Sequence, residues 1–382
     1  MINQEQYFKW FRLLLRYALW GNEVDDMPQQ LSHDQYQALK ALSEEQTAKG
    51  HISQALVDKK VKLGIEDIAD VLSSIQEIRQ LNQKLNPAVI NLCRMMEKQG
   101  VRILILKGQT YAPFYPDASL RQCGDIDFVC HPDDIEKAVS FLKYDLGLPL
   151  SGKSSNKHAS FRMDGIKYEI HRKITNFAYL PSHYYCEKVF MQEVWNHPYT
   201  IDVDGYAVPV MAPTYNAVYV FEHIFLHLIS DGIGLRQFCD WAMLLRYYRD
   251  EIDRSLLIKH LKGVRLYKAY RRMGSVLVDY LGLPEEEFPL TIQEDDRRFS
   301  DKILNNIFHR GNFGHNLKYS RRRGPIHAME HLKRVYNQVL LYYRCAPTEV
   351  LWRIPHMFIW WIKRIVRAII PCKSIQSVFK RV

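Results

Sequence analysis

The chain has 382 residues, 47% of them hydrophobic and 25% charged, the balance of a globular protein long enough for two or three domains. Its seven cysteines form no CxxC pair, which argues against a disulfide framework or a zinc cluster and for a reducing cytoplasm. The formal net charge of +10 is unevenly placed, because residues 318–382 hold 14 Lys and Arg against 2 Asp and Glu; attraction to phosphates of RNA or anionic lipid therefore belongs to the tail.

In chain order, residues 1–98 read as a helical region. Tyr7 to Trp20 is apolar on one broad face and interrupted by Arg12 and Arg16, so it reads as an amphipathic helix and not a signal peptide. Ser32–Ala48 and Asp67–Lys98 follow helical spacing, while His51–Leu63 has no clear period. Residues 99–212 change character and read as an α/β core. Val101–Leu106 is a short apolar run typical of a buried strand, and Gln109–Tyr115 predicts a helix closed by Pro116. Asp125–Cys130 is the next strand. Pro132 suits the first position of a helix whose opening turn holds Asp133, Asp134 and Glu136 and which runs to about Tyr144. His158–Met163 and Ile166–Ile174 predict a hairpin closed by Asp164-Gly165, a favoured type I′ pair. Ala207–Met211 is a last short strand, and Asp202 and Asp204 before Gly205 read as a hairpin turn. Residues 213–317 predict a helical domain with breaks near Asp231-Gly232, Gly263 and the acidic Pro284–Pro289 linker. Residues 318–382 form a basic amphipathic tail. Leu351–Ile370 has the length of a membrane span, but Arg353, Pro355, Lys363, Arg364 and Arg367 interrupt it.

The residues that carry chemistry cluster in the second region. Side chains of a strand alternate between faces, so Asp125 and Asp127 project together while Ile126 and Phe128 point to the core. Two adjacent carboxylates repel, and a cation such as Mg²⁺ between them relieves the repulsion. The second hairpin strand likewise puts Lys167, Glu169 and His171 on one face. If the two strands are neighbours in a mixed sheet, Asp125, Asp127 and Glu169 converge and hold one or two Mg²⁺ or Mn²⁺ ions. Lys107, Gly108 and Gln109 form a turn before a helix, suited to a phosphate: glycine lets backbone approach it, amides and Lys107 attract it. Arg121 supplies a second cation there.

Leu106-Lys107-Gly108, Tyr115-Pro116, Arg121, Gly124-Asp-Ile-Asp127 and Tyr168-Glu-Ile-His171 together resemble the uncharacterised nucleotidyltransferases of the NTP transferase 5 type, within the DNA polymerase β-like nucleotidyltransferase superfamily. The resemblance is strongest over residues 101–175 and continues through Phe221–His227 and Leu235–Asp240. It implies an α/β nucleotidyltransferase core with a mixed sheet and flanking helices, and Mg²⁺-dependent transfer of a nucleoside monophosphate from an NTP. It places the family's paired acids at Asp125 and Asp127 and its third acid at Glu169. Where the wider superfamily has Gly-Ser before the acidic pair, this chain has Gly108-Gln109.

Simpler readings stand beside these. The aspartate pair caps the Pro132 helix; Glu169 bridges to Arg162 or Lys157; Lys107 pairs with Asp125; His171 positions Glu169 or a core neighbour. His223 and His227 have zinc spacing, but no Glu follows the first, and they read as buried polar packing. Arg236 and Asp240 form a helical i, i+4 pair or line the cleft. The apolar face of Phe358–Ile370, edged by Trp352, Trp360 and Trp361, lies on an anionic membrane or docks on the core. The expectation is a cytoplasmic nucleotidyltransferase, peripheral to the inner membrane face if the tail binds lipid, acting on a hydroxyl acceptor that is a small molecule, a sugar, a protein or RNA. The alternative is a non-catalytic nucleotide- or partner-binding protein on the same fold. The base used, the acceptor and the oligomeric state leave no mark in the sequence.

Overall fold

A computed structural model describes residues 4–22, 25–151, 158–230, 232–312, 325–355 and 358. Helices α1 (Gln4–Trp20), α2 (His33–Glu45), α3 (Lys49–Asp58) and α4 (Ile65–Lys98) precede the first strand. α1 buries Phe11, Leu14, Leu15 and Leu19. Its polar edge reaches the far end of the chain, where Arg16 Nε donates to the Tyr280 carbonyl at 2.8 Å and Trp20 Nε1 to that of Leu281 at 2.6 Å. The segment without clear period contains α3. α4 buries Val71, Ile75, Leu85, Val89, Leu92 and Met96 along one stripe, with Glu66 and Asp67 in its first turn and Lys98 in its last complementing the helix dipole.

The strands are β1 (Ile103–Ile105), β2 (Asp125–Cys130), β3 (His158–Met163) and β4 (Ile166–His171), in the spatial order β1-β2-β4-β3. β1 runs antiparallel to β2, β2 parallel to β4, and β4 antiparallel to β3. The mixed sheet expected from the sequence is present. Its apolar face buries Ile126, Phe128, Tyr168 and Ile170, each at most 2% exposed. The β3–β4 turn has φ of 51° at Asp164 and 78° at Gly165, the pair of positive values a type I′ turn demands. A separate hairpin joins β5 (Pro198–Val203) to β6 (Tyr206–Met211) through Asp204-Gly205. The sequence reading identified this turn and β6 but not β5, whose Pro198 and alternating exposed residues weaken a strand signal.

Two local expectations change. The helix predicted over Gln109–Tyr115 is two short 3₁₀ turns, Gly108–Thr110 and Ala112–Phe114, because Pro113 cannot donate a hydrogen bond to continue a longer helix. The helix after Pro132 opens as a 3₁₀ turn, becomes α5 (Ile135–Ser140) and ends as a π turn over Phe141–Asp145.

Short helices α6 (Leu180–Tyr185) and α7 (Met191–Asn196) follow the sheet, and then α8 (Pro213–Leu228) and α9 (Leu235–Tyr247) pack against each other. α8 buries every residue from Pro213 to Leu228 except His223 and His227. Further along, Tyr342, Cys345, Ala346 and Val350 are buried. Glu349 accepts the backbone N–H groups of Ala178 and Tyr179 at 2.9 and 3.0 Å, so this part of the basic tail docks on the core. The proposed membrane helix from residue 359 onward and Arg321-Arg322-Arg323 lie outside the described residues. No helix among the described residues is long and apolar enough to cross a membrane.

Candidate active site

The register of β2 and β4 builds the site. Asp125 lies opposite Lys167, and Asp127 opposite Glu169, in adjacent parallel strands. Asp125, Asp127, Lys167, Glu169 and His171 therefore share the polar face of the sheet and open into a cleft of about 780 Å³ between the sheet and α8. The structure brings together the three carboxylates expected from the sequence, with Lys107 beside them.

Each carboxylate already has a partner. Asp127, only 2% exposed, receives Lys107 Nζ on Oδ2 at 3.1 Å and His171 Nε2 on Oδ1 at 2.7 Å. Burial opposes its ionisation, but the Lys107 ammonium and His171 outweigh burial and hold its carboxyl far below the usual range. Glu169 Oε1 lies 2.5 Å from Lys167 Nζ, and its Oε2 lies 3.9 Å from His171 Nε2. Asp125 is more open, with Lys167 at 3.5 Å. Burial, then the charge of Asp127, pushes its carboxyl up. Lys107 thus pairs with Asp127, and Glu169 bridges to Lys167 and not to Arg162.

The loop between β1 and β2 is pinned from beneath by α4. Asn82 Nδ2 donates to the carbonyls of Ser119 and Arg121 at 2.6 and 3.0 Å. Asn86 Oδ1 accepts from Gln109 Nε2 at 2.6 Å. Gly108 has φ of 74°, and a Cβ there would stand 3.1 Å from Cys123 Sγ, so the turn favours glycine.

Two residues expected at the phosphates, Gln109 and Arg121, also have protein partners. Gln109 is 2% exposed and turned to Asn86, so the residue standing for the superfamily serine ties the loop to α4. Arg121 is 0% exposed. Its Nε and Nη2 each lie 2.8 Å from an oxygen of Asp240, a bidentate pair whose two residues, with Arg236, line the cleft. Asp240 also accepts from Tyr115 at 2.7 Å and Arg236 at 3.4 Å. Burial works against the Asp240 charge, but Arg121 and Arg236 keep it ionised. The guanidinium is committed to Asp240 because both are removed from water, where a separated charge is costly.

Lys167 received no role from the sequence, although the alternation of β4 already put it on the polar face with Glu169. His223 and His227 are α8's two partly exposed side chains, with ring centroids 4.4 Å apart. His223 Nε2 lies 3.4 Å from Lys107 Nζ, and burial, then the Lys107 charge, pushes its imidazole well below its ordinary pKa. The two face the cleft without joining the carboxylates. Lys173 and Arg353 also line the cleft.

Asp127, Glu169 and His171 each offer a donor atom, all within 4.8 Å of one another. Two carboxylates and an imidazole are a donor set that fits a divalent ion.

The fold is thus a mixed α/β sheet with acids on neighbouring strands, facing α8 across a polar cleft. The chain belongs to the family described as uncharacterised nucleotidyltransferase, whose sequence profile matches residues 32–282. Among solved structures it is similar to an antigenic nucleotidyltransferase-like protein from Paracoccidioides brasiliensis, at 13% identity over 53% of this chain and 93% of that one, with a TM-score of 0.32. It is also similar to a tRNA nucleotidyltransferase complexed with a primer tRNA and an incoming ATP analog, at 13% identity over 71% and 98% of the two chains, with a TM-score of 0.20. No curated protein matches.

Proposed function

We propose that the chain is a divalent-metal-dependent nucleotidyltransferase that moves a nucleoside monophosphate from an NTP to a hydroxyl of an acceptor. The observation that carries this reading is the in-register pairing of Asp127 with Glu169 on parallel strands, with Asp125 one pleat away on the same face. In the reaction an acceptor oxygen attacks the α-phosphorus, pyrophosphate leaves, and the hydroxyl proton is lost. Asp127 and Glu169, with Asp125 completing the set, would hold Mg²⁺ or Mn²⁺, which would supply charge neutralisation of the triphosphate and activation of the attacking hydroxyl. The protein's own groups orient and neutralise. Lys107 and Lys167 face the region where phosphates gather, and the Gly108 turn brings backbone close to them. His171 stands against Asp127, its Nε2 2.7 Å from Oδ1. Arg121 and Asp240 hold the loop that carries Gly108 and Asp125 in place.

The full chain incubated with α-labelled NTPs, Mg²⁺ or Mn²⁺ and candidate acceptors tests this. Label transfer by wild type that Asp127→Asn abolishes supports the reading, and equal transfer by both refutes it. One observation favours a second reading, a non-catalytic nucleotide-binding protein: Lys107, His171 and Lys167 already cover the three carboxylates. NTP-dependent thermal stabilisation without transfer across a broad acceptor set selects that reading.

A further inference from the structure

The carboxylates of Asp127 and Glu169 are each used asymmetrically. Lys107 takes Asp127 Oδ2 at 3.1 Å, and Lys167 takes Glu169 Oε1 at 2.5 Å. The other oxygens, Asp127 Oδ1 and Glu169 Oε2, both face His171 Nε2, at 2.7 and 3.9 Å. The two lysines thus neutralise the outer oxygens and leave the inner two converging on an imidazole nitrogen. Adjacent ligands of a six-coordinate ion bound at about 2.1 Å stand roughly 3.0 Å apart. The separations of 2.7 and 3.9 Å lie on either side of that spacing, and all three donor atoms lie within 4.8 Å of one another.

We propose that His171 Nε2 is a direct ligand in the same site as Asp127 and Glu169, and that it gives the site a preference for nitrogen-accepting divalent ions, Mn²⁺, Co²⁺ or Zn²⁺, over Mg²⁺. This rests on the reading of Asp127 and Glu169 as metal-holding groups and adds the identity of the third donor and of the metal class. Mg²⁺ takes oxygen ligands, holds its waters tightly and gains little from an imidazole. Mn²⁺, Co²⁺ and Zn²⁺ accept imidazole more readily, in rising order of affinity. A set of two carboxylates and one imidazole is therefore discriminating where three carboxylates are not. The position follows from the fold: His171 is the last residue of β4, two residues beyond Glu169, so strand alternation returns it to the face that Glu169 occupies.

The test uses the full chain with metal alone. Electron spin-echo envelope spectra of bound Mn²⁺ are recorded with natural-abundance and ¹⁵N-histidine-labelled protein, and Mn²⁺ and Mg²⁺ affinities are measured by calorimetry. The expected result is a directly coordinated nitrogen that changes with the label and is lost in His171→Gln. His171→Gln and His171→Asn are expected to weaken Mn²⁺ by about tenfold or more while moving Mg²⁺ by less than about threefold. Mn²⁺ bound without nitrogen coupling, or equal losses for Mn²⁺ and Mg²⁺, overturns the role of His171 and leaves the carboxylate site standing. Wild type that binds no Mn²⁺, or binds it as well after Asp127→Asn, overturns the carboxylate site and the histidine with it. The wild-type spectrum decides the ligand question even if a variant folds poorly.

Discussion

Replacing Arg121 with methionine separates a structural arginine from one that binds substrate. The guanidinium is 0% exposed and makes two 2.8 Å contacts with Asp240, itself 3% exposed. Arg121→Met leaves the Asp240 carboxylate buried with two remaining donors, Tyr115 at 2.7 Å and Arg236 at 3.4 Å. Removing one partner of a buried ion pair costs about 3–5 kcal/mol, and the two surviving donors put this case near the lower end. A loss of about 3 kcal/mol lowers the melting temperature of a chain this long by roughly 4 °C. The assay is thermal and urea unfolding of wild type, Arg121→Met, Asp240→Leu and the double variant. Each single variant is expected to lose stability, and the double variant to lose less than the two losses added, because it strands no charge. Arg121→Met that unfolds within about 1 kcal/mol of wild type yet weakens NTP binding tenfold refutes the reasoning, since that pattern belongs to an arginine whose partner is phosphate.

Three further outcomes are expected. Lys167→Met removes the positive charge lying 2.5 Å from Glu169 and 3.5 Å from Asp125. At this partly exposed position the two contacts together are worth about 1 kcal/mol, so Mn²⁺ measured by calorimetry without nucleotide should bind about fivefold more tightly, and unchanged or weaker binding contradicts the electrostatic account. His51 is buried against Tyr115, with ring centroids 4.8 Å apart, and burial, with the Asp240 charge opposing, pushes its pKa down to about 4. The unfolded chain protonates this imidazole near 6.5 and the folded chain only near 4, so stability is full above pH 6.5 and falls as pH drops towards 4, by up to about 3 kcal/mol. His51→Phe should flatten urea midpoints between pH 7 and 4.5, and an undiminished slope assigns the loss to other groups. Gly108→Ala should cost about 1–2 kcal/mol, because it forces a left-handed φ of 74° on a residue with a Cβ 3.1 Å from Cys123 Sγ; urea unfolding of that variant at wild-type stability removes the strain argument.

The sequence made legible what depends on short-range periodicity. Alternation along β2 put Asp125 and Asp127 on one face, and alternation along β4 put Lys167, Glu169 and His171 on another; Asp164-Gly165 announced its turn because few residue pairs tolerate two positive φ values. The site itself depends on which strands pair and in what register. Asp127 stands opposite Glu169, 42 positions later, and no local pattern encodes that match, although the mixed sheet anticipated from the motifs allowed it. Arg121 and Gln109 show where local reading stops. Both sit in a cationic and glycine-containing loop that looks open to phosphate. Their partners, Asp240 and Asn86, come from helices outside the loop, and nothing local to the loop announces either contact.

The same accounting explains why the polar face of this sheet is a site and not an ordinary solvated face. A solvated face would leave its carboxylates to water. Here Asp127 is 2% exposed, and it remains charged because Lys107 and His171 are held against it by elements that have little freedom to withdraw: the Gly108 turn, fixed by α4 through Asn82 and Asn86, and the end of β4. Asp125, lacking such partners at close range, has its carboxyl pushed the other way. Two aspartates one residue apart therefore differ in charge affinity, one permanently ionised and one yielding to its neighbour. A divalent ion would relieve that repulsion and favour the ionised form of both. Removing Asp127's charge should then relax Asp125 towards an ordinary carboxylate. The carboxyl resonance of Asp125, followed by NMR titration in Asp127→Asn, is expected to move to lower pH than in wild type, and a midpoint that stays in place would show that burial alone perturbs it.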